Sequence, residues 1–374
     1  MSVYYNNPIR VFFRIIQKNK SRFFLFLCYL FFDQPSKNSF DPNKVSSILL
    51  LLWDNKLGDT IFSGVFISLI SRFRSDIQLS VVTGPLGKSW LEKISNINII
   101  VLSKKSVSNA LSLNKNQKHF DAVIYLTSKM NYKDFIALRQ FKQATILGYH
   151  NQGYRLFSYN IPKNITHFYD SFLHLARLFI SKERFEKPII PLPNAIEEPS
   201  INIQKNKWKS SLFDICAVHF IGASSCRQFH LNDAATLLKK WLRTVDKIAF
   251  FVITIPGWEQ YFSQLRDIFK YEDRVCVWEG PPSFELTLKV LQSSDFCFTP
   301  DTSVIHILSA LNKPVLGVYF DDQKNFSQWS PLSDIQEIVY VKKSKNKSVK
   351  TSLNNIDFDE VINAQSRLIS ALRS

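Results

Sequence analysis

Short apolar runs alternate with helix-like segments along most of the chain, in two stretches separated by prolines. In the first stretch SSILLLLW (46–53), IQLSVVTG (77–84), 97–102, 122–126 and 144–147 have strand length and strand composition. Helix-like segments lie at 60–73, 89–94, around 131–142 and around 167–180. Strands that are apolar throughout are buried on both faces, as in parallel sheets covered by helices. PIIPLPNAIEEP (188–199) interrupts the pattern and marks a domain boundary. The alternation then restarts with strands at 215–222, 248–255, 275–278, 296–299, 314–320 and 337–341. Helices are expected at 232–244, 258–269, 284–292, 303–311 and 357–372, the last closing the domain.

The pattern therefore predicts an α/β protein of two Rossmann-like domains with parallel sheets, at 45–190 and 191–374, preceded by an arm and linker at 1–44. A hinge between two such domains implies a cleft, with ligands beyond the carboxyl ends of the strands.

The arm has its own pattern. In PIRVFFRIIQKNKSRFFLFLCYLFF (8–32), Arg10, Arg14, Lys18 and Arg22 recur every four residues, which is one stripe of a helix. The unbroken apolar run 23–32 spans only about 15 Å as a helix, half a bilayer core, so a transmembrane helix is not expected. The following DQPSKNS lacks a small-x-small cleavage site, which argues against a secretory signal. Two readings stay open: a basic, amphipathic anchor on an anionic membrane surface, or an apolar helix packed on the domain.

Composition adds two constraints. The 374 residues carry 47 Lys and Arg against 31 Asp and Glu, a formal net charge of +16. That favours anionic partners. No zinc-finger spacing, RNP-like strand or basic recognition helix accompanies the charge, so nucleic acid is not an expected partner. The five cysteines are odd in number and none forms a CxxC pair, which points to reduced thiols, not to disulfides or a zinc site.

Three polar clusters stand at expected strand ends. In PDTSVIH (300–306) a helix opens at Ser303, so first-turn N–H groups and the positive end of the dipole can hold an anion such as a diphosphate. Thr302 and Ser303 add hydroxyls, His306 lies one turn further, and Asp301 is suited to orienting the loop. The same residues also serve as ordinary helix caps. In WDNKLGDTIFSG (53–64), Asp59 is a carboxylate at a helix start, suited to accepting a proton or to capping, and Lys56 to steadying negative charge or to solvation. In FIGASSCRQFH (220–230), Gly222, Ser224 and Ser225 form a small-residue loop and Arg227 is a fixed cation. His219 reads as a core or strand-end histidine. GPLGKS (84–89) is not a P-loop, because Val82 stands where the motif needs its first glycine. No nucleophile elbow or clustered metal-ligand set is present.

In order, DNKLGDTIFSGVFISLI (54–70), IGASSCRQF (221–229) and PDTSVIHILSALNKPVLGVYF (300–320), followed by WSPL (329–332), resemble the ADP-heptose:lipopolysaccharide heptosyltransferases, glycosyltransferase family nine. The resemblance covers roughly 46–345. It implies a GT-B architecture, with an acceptor-binding first domain and a nucleotide-sugar-binding second domain. It also implies a nucleotide-diphospho sugar donor, ADP-heptose in that family, and inverting transfer to a lipopolysaccharide core without cofactor or obligatory metal. Asp59 matches the family's catalytic base. Arg227 stands where that family usually has Lys near the donor phosphates. Thr302, Ser303 and His306, with Asp301, match the donor-diphosphate loop, and Glu259 an acidic residue that meets the ribose. Ser303 replaces a frequent Gly, Phe229 a Trp, and Gly64 a Pro. The implied location is cytoplasmic, peripheral on the inner membrane of a bacterium. The alternatives are a same-fold transferase using another nucleotide sugar, a non-catalytic lipopolysaccharide-assembly protein, or a nucleotide-sugar epimerase.

Overall fold

The computed structural model describes residues 8–35, 40–54, 56–103, 105–113, 119–127, 129–180, 189–342 and 352–373. They fall into two compact units, Met1–Pro188 and Ile189–Ser374.

The first unit opens with one long helix, α1 (Pro8–Phe32). Then follow β1 (Ser47–Leu52), α2 (Leu57–Phe73), β2 (Gln78–Thr83), α3 (Pro85–Ile94), β3 (Asn98–Val101) and α4 (Val107–Ser112). β4 (Ala122–Tyr125), α5 (Tyr132–Arg139), β5 (Thr145–Tyr149), β6 (Tyr159–Ile161) and α6 (Phe168–Phe179) complete it. Its six strands are ordered β3-β2-β1-β4-β5-β6, and every pairing is parallel. β1 lies in the middle, Leu49 facing Ser80 on one side and Val123 on the other. All six of its residues are buried, which is why it reads as a continuous apolar run.

The second unit runs α7 (Pro199–Ser210), β7 (Asp214–Val218), α8 (Leu231–Thr244), β8 (Ile248–Val252), α9 (Glu259–Ile268) and β9 (Val275–Val277). It continues with α10 (Phe284–Ser293), β10 (Phe296–Pro300), α11 (Ser303–Leu311), β11 (Val315–Phe320), α12 (Gln323–Trp329), β12 (Gln336–Val341) and α13 (Phe358–Arg373). Its parallel order is β9-β8-β7-β10-β11-β12. Counted from each unit's first strand, both sheets have the same order: third, second, first, fourth, fifth, sixth. In each, the chain reverses direction across the sheet between the first and fourth strands, and ligands of doubly wound sheets sit beyond the strand ends at that point.

The arm is part of the first unit. α1 packs on α5: Leu25, Cys28 and Phe32 join the core beside Phe135 and Tyr154. The Phe24 ring lies 5.7 Å from that of Tyr132, and Tyr29 lies 6.3 Å from Tyr154. Just past the helix, buried Asp33 accepts from the Leu156 N–H at 3.0 Å. The outward face carries Phe23, Phe26, Leu30 and Phe31 at 60, 57, 55 and 63% exposure. Both sequence readings thus keep a physical basis, one on each face. No helix among the described residues is long and apolar enough to cross a membrane. All five cysteines are free thiols.

Candidate active site

In the first unit the chain leaves β1 at Leu52, turns through Trp53 and Asp54, and enters α2 at Leu57. Lys56 is the N-cap residue and makes no side-chain cap bond. Asp59 is therefore the third helical residue, not the cap. Its carboxylate faces the positive end of the helix dipole. The side chain keeps a partial solvent opening but is otherwise enclosed by protein. That burial pushes the carboxyl up to about 6. Lys56 and the residue's own N–H pull it down, while Asp54 pushes it up further. A carboxyl poised there is mostly ionised at pH 7 and still basic enough to take a proton. Trp53, Asp54, Asp59, Tyr125, Thr127 and Phe168 line one small hollow, formed by the ends of β1 and β4 and the start of α6. Lys56 is exposed beside it. Asn55 lies outside the described residues.

In the second unit the equivalent strand ends are those of β7 and β10. The chain after β7 forms a tight loop closed by an antiparallel bridge between Ile221 and Gln228. Phe229 anchors it from below: its ring is buried, 5.6 Å from Phe220 and 5.8 Å from Phe298. Gly222 donates its N–H to Arg227 O at 2.8 Å. A Cβ at Gly222 would lie 2.6 Å from that oxygen and 3.2 Å from Thr302 Cγ2. The missing side chain is what lets this loop press against the turn after β10. Ser224 and Ser225 sit exposed at the loop tip.

Across the contact, Arg227 Nη2 is 2.7 Å from Asp301 Oδ2. Asp301 is buried and also accepts from Asn325 Nδ2 at 2.8 Å. Burial raises its carboxyl, and Arg227 and Asn325 pull it back. Asp301 thus orients the cation, while the guanidinium, a third exposed, keeps further donors. Thr302 caps α11, its Oγ1 accepting from Val304 N at 3.3 Å. Ser303 is the first helical residue. The cap reading and the anion reading thus coexist in one turn, since capping uses Val304 N and general helix geometry leaves the first N–H groups pointing outward.

Two other expected residues, His306 and Glu259, stand elsewhere in the second unit. His306 is buried with its ring 5.5 Å from that of Trp329. Glu259 is exposed after β8 at the start of α9. Its carboxylate accepts from Gly257 N at 2.8 Å, and backbone N–H groups hold it below its usual range. Lys313 donates to the Ser294 and Gln292 carbonyls at the end of α10, a structural role.

Two participants lack a motif signal. Asn325, on the short polar α12, steadies Asp301. His219, one residue past β7, sits at the strand end as expected from sequence, but it also reaches the cluster. Its Nδ1 is 3.2 Å from Thr299 Oγ1 and 3.4 Å from Thr302 Oγ1. Burial drives its pKa down to about 4, so the ring is neutral and braces the turn without adding charge. Among the described residues no group of acidic, histidine or cysteine side chains has metal-binding proximity.

The profile of Glycosyltransferase family 9 (heptosyltransferase) matches residues 280–356, which contain the β10–α11 turn. The resemblance noted in the sequence is borne out over that stretch. A relative, the putative lipopolysaccharide heptosyltransferase 4 of Escherichia coli (strain K12), is 23% identical over 319 residues, covering 80% of this chain and 83% of its own. Among solved structures, E. coli ADP-heptose lps heptosyltransferase II is similar with a TM-score of 0.59 at 14% identity, covering 88% of this chain and all of that one. E. coli heptosyltransferase WaaC with ADP has a TM-score of 0.59 at 13% identity, covering 87% of this chain and 97% of that one. At those identities the structures speak for the fold, and they agree with the two parallel, helix-covered sheets of this chain.

Proposed function

We propose that this chain is an inverting family 9 glycosyltransferase that moves heptose from ADP-heptose to a lipid-anchored lipopolysaccharide core. Asp59 takes the proton of an acceptor hydroxyl. The oxygen attacks the anomeric carbon as the bond to the diphosphate breaks, so one displacement inverts the configuration. Negative charge grows on the departing ADP and is offset by Arg227, the Thr302 and Ser303 hydroxyls and the start of α11. The cation's task falls to Arg227, and no step is routed through a metal. Lys56 is the exposed cation nearest the base in sequence and suits a phosphate-rich acceptor. Glu259 is proposed to meet the ribose, and Gly222, Ser224 and Ser225 to line the phosphates.

The carrying observation is the placement of chemistry at the same topological point of both sheets. One turn holds a carboxylate tuned to about 6, and the other holds an oriented guanidinium beside a helix start. Heptose and ADP are favoured over other donors by the relatives' names: an ADP-heptose lps heptosyltransferase and a heptosyltransferase with ADP. The test incubates the full chain with ADP-heptose, UDP-sugars or GDP-sugars, with and without core acceptor. ADP should be released from ADP-heptose only, and only with acceptor. Release only from another sugar overturns the heptose assignment. A sugar product without acceptor would mean an epimerase, and no turnover with any donor would favour a binding role.

We further propose that the enzyme works as a peripheral protein on the cytoplasmic face of the inner membrane, held by the outer face of α1. Exposed Lys20 and Arg22 border its aromatic face, and residues 1–40 hold six Lys and Arg against one Asp. The chain should sediment with phosphatidylglycerol vesicles. Glutamate at both Phe26 and Phe31 should weaken that by on the order of tenfold or more. Equal sedimentation of both proteins would remove α1 from the interface.

A further inference from the structure

One ionic cluster in the first unit borders the Asp59 hollow, and its central residue has been given no role so far. Lys105 lies between β3 and α4. Its Nζ is 3.0 Å from Asp54 Oδ1, 2.5 Å from Asp134 Oδ1 and 3.1 Å from Tyr125 Oη. The three partners come from three places: the turn after β1, the first turn of α5 and the end of β4. The contacts with Asp54 and Tyr125 are hydrogen bonds, and the one with the buried Asp134 carboxylate is an ion pair. The ammonium also lies over the Trp53 ring, 5.1 Å from the centroid. Its position is fixed from behind, because Lys133 Nζ donates to Lys105 O at 3.1 Å. Asp134 is equally fixed: it is completely buried and its Oδ2 accepts from Asn131 N at 2.7 Å.

Asp54 matters because it lines the same hollow as Asp59, five positions earlier on one turn. Two carboxylates at one opening repel each other and resist joint ionisation. Lys56 opposes that repulsion from an exposed position, where salt screens it. Lys105 is only 17% exposed in its side chain and sits directly on Asp54. The geometry points to Lys105 as a positioning residue: by clamping and neutralising Asp54, it leaves Asp59 as the one carboxylate of this turn free to exchange a proton near neutral pH. The two acids are thereby given different roles, Asp54 held and Asp59 working.

The surroundings leave few competing charges. Lys56 and Asp54 are the charged groups that act on Asp59. From α6, packed on α2, Phe168 reaches the hollow and the His167 ring lies 5.4 Å from Phe62, with Asp170 in the same first turn. From α3, Lys88 pairs with Glu92 on its own helix. β2 contributes Thr83, and β4 contributes Tyr125.

The inference rests on Asp59 being the base, but its test does not need turnover. The full chain is labelled with 13C at the aspartate carboxyls and titrated by NMR, the Asp59 signal being assigned by its loss in Asp59→Asn. Lys105→Met should move the Asp59 midpoint up by about one pH unit, a roughly tenfold loss of ionised carboxylate below it. Lys105→Arg should restore it, and Asp54→Asn should move it down. The Lys105→Met, Asp54→Asn double variant should match Asp54→Asn alone. An unmoved midpoint in Lys105→Met, or an upward shift that persists without Asp54, overturns the proposal. Should Lys105→Met fail to fold because Asp134 loses its partner, Lys105→Met combined with Asp134→Asn reads the same midpoint. Because the free protein is titrated, a chain that released no ADP from any donor would still give this answer.

Discussion

Asp59→Asn should lower transfer by about a thousandfold, within the 10²–10⁴ range of a lost general base, and should make the protein more stable at pH 8. The two effects share one cause. Burial raises the Asp59 carboxyl from its ordinary value near 3.8 to about 6. Folding therefore favours the protonated acid, and the ionised form proposed to act as the base is the one the fold disfavours. The cost is complete above pH 6, shrinks as pH falls from 6, and is gone below about 4, where folded and unfolded chains are both protonated. Asn carries no charge and escapes it. The gain is on the order of 1–2 kcal/mol at pH 8, less than the full shift implies because the side chain meets some solvent. Turnover assays and thermal unfolding at pH 8 and pH 5 check both halves. Unchanged turnover would assign the base elsewhere. A less stable variant would mean that the carboxylate's contacts outweigh its desolvation. For the wild type, activity should fall on the acid side through about pH 6.

The second large effect belongs to Arg227→Ala, expected to lower kcat/KM for the donor by about 10²–10³, the scale of losing a donor aimed at developing charge. Two things are lost together. The departing diphosphate loses its oriented cation, and Asp301 is left buried beside Asn325 without the counter-charge at 2.7 Å. Burial then dominates the Asp301 carboxyl and favours its protonated form. Arg227→Lys should keep most of the activity, since it preserves charge while giving up the planar fork. Calorimetry with ADP separates binding from chemistry. ADP affinity unchanged in Arg227→Ala would place the diphosphate elsewhere.

How far these sites can be read from sequence differs between their parts. Strand positions were the most legible, because every residue of β1 and β10 is buried and a run such as SILLLL leaves no competing interpretation. The motifs' positions at strand ends followed from that. The start of α2 was less clear. The sequence suggests Thr60, whereas the helix begins at Leu57, because Lys56 caps with backbone alone and supplies no cap signature. β6, α4, α7 and α12 were missed for a common reason, short or mostly polar faces. α7 buries only Ile201 and Trp208, although the Glu198–Pro199 pair at its start is a readable signal. Least legible were the pairings. Arg227 with Asp301, His219 with Thr302 and Lys105 with Asp54 each join residues distant in sequence. Residue type announces a charge or a ring, but only folding decides which partner it meets.

The repeated strand order has a consequence for how such enzymes diversify. Asp59 stands on a turn of one unit and the Arg227–Asp301 pair on turns of the other, and each is encoded in a separate half of the chain. Substitutions that retune the first set leave the second untouched. Under the proposed division of roles, lineages can explore new acceptors while inheriting an unaltered donor grip, and residues such as Ser303 or Phe229 can vary without compromising the partner half.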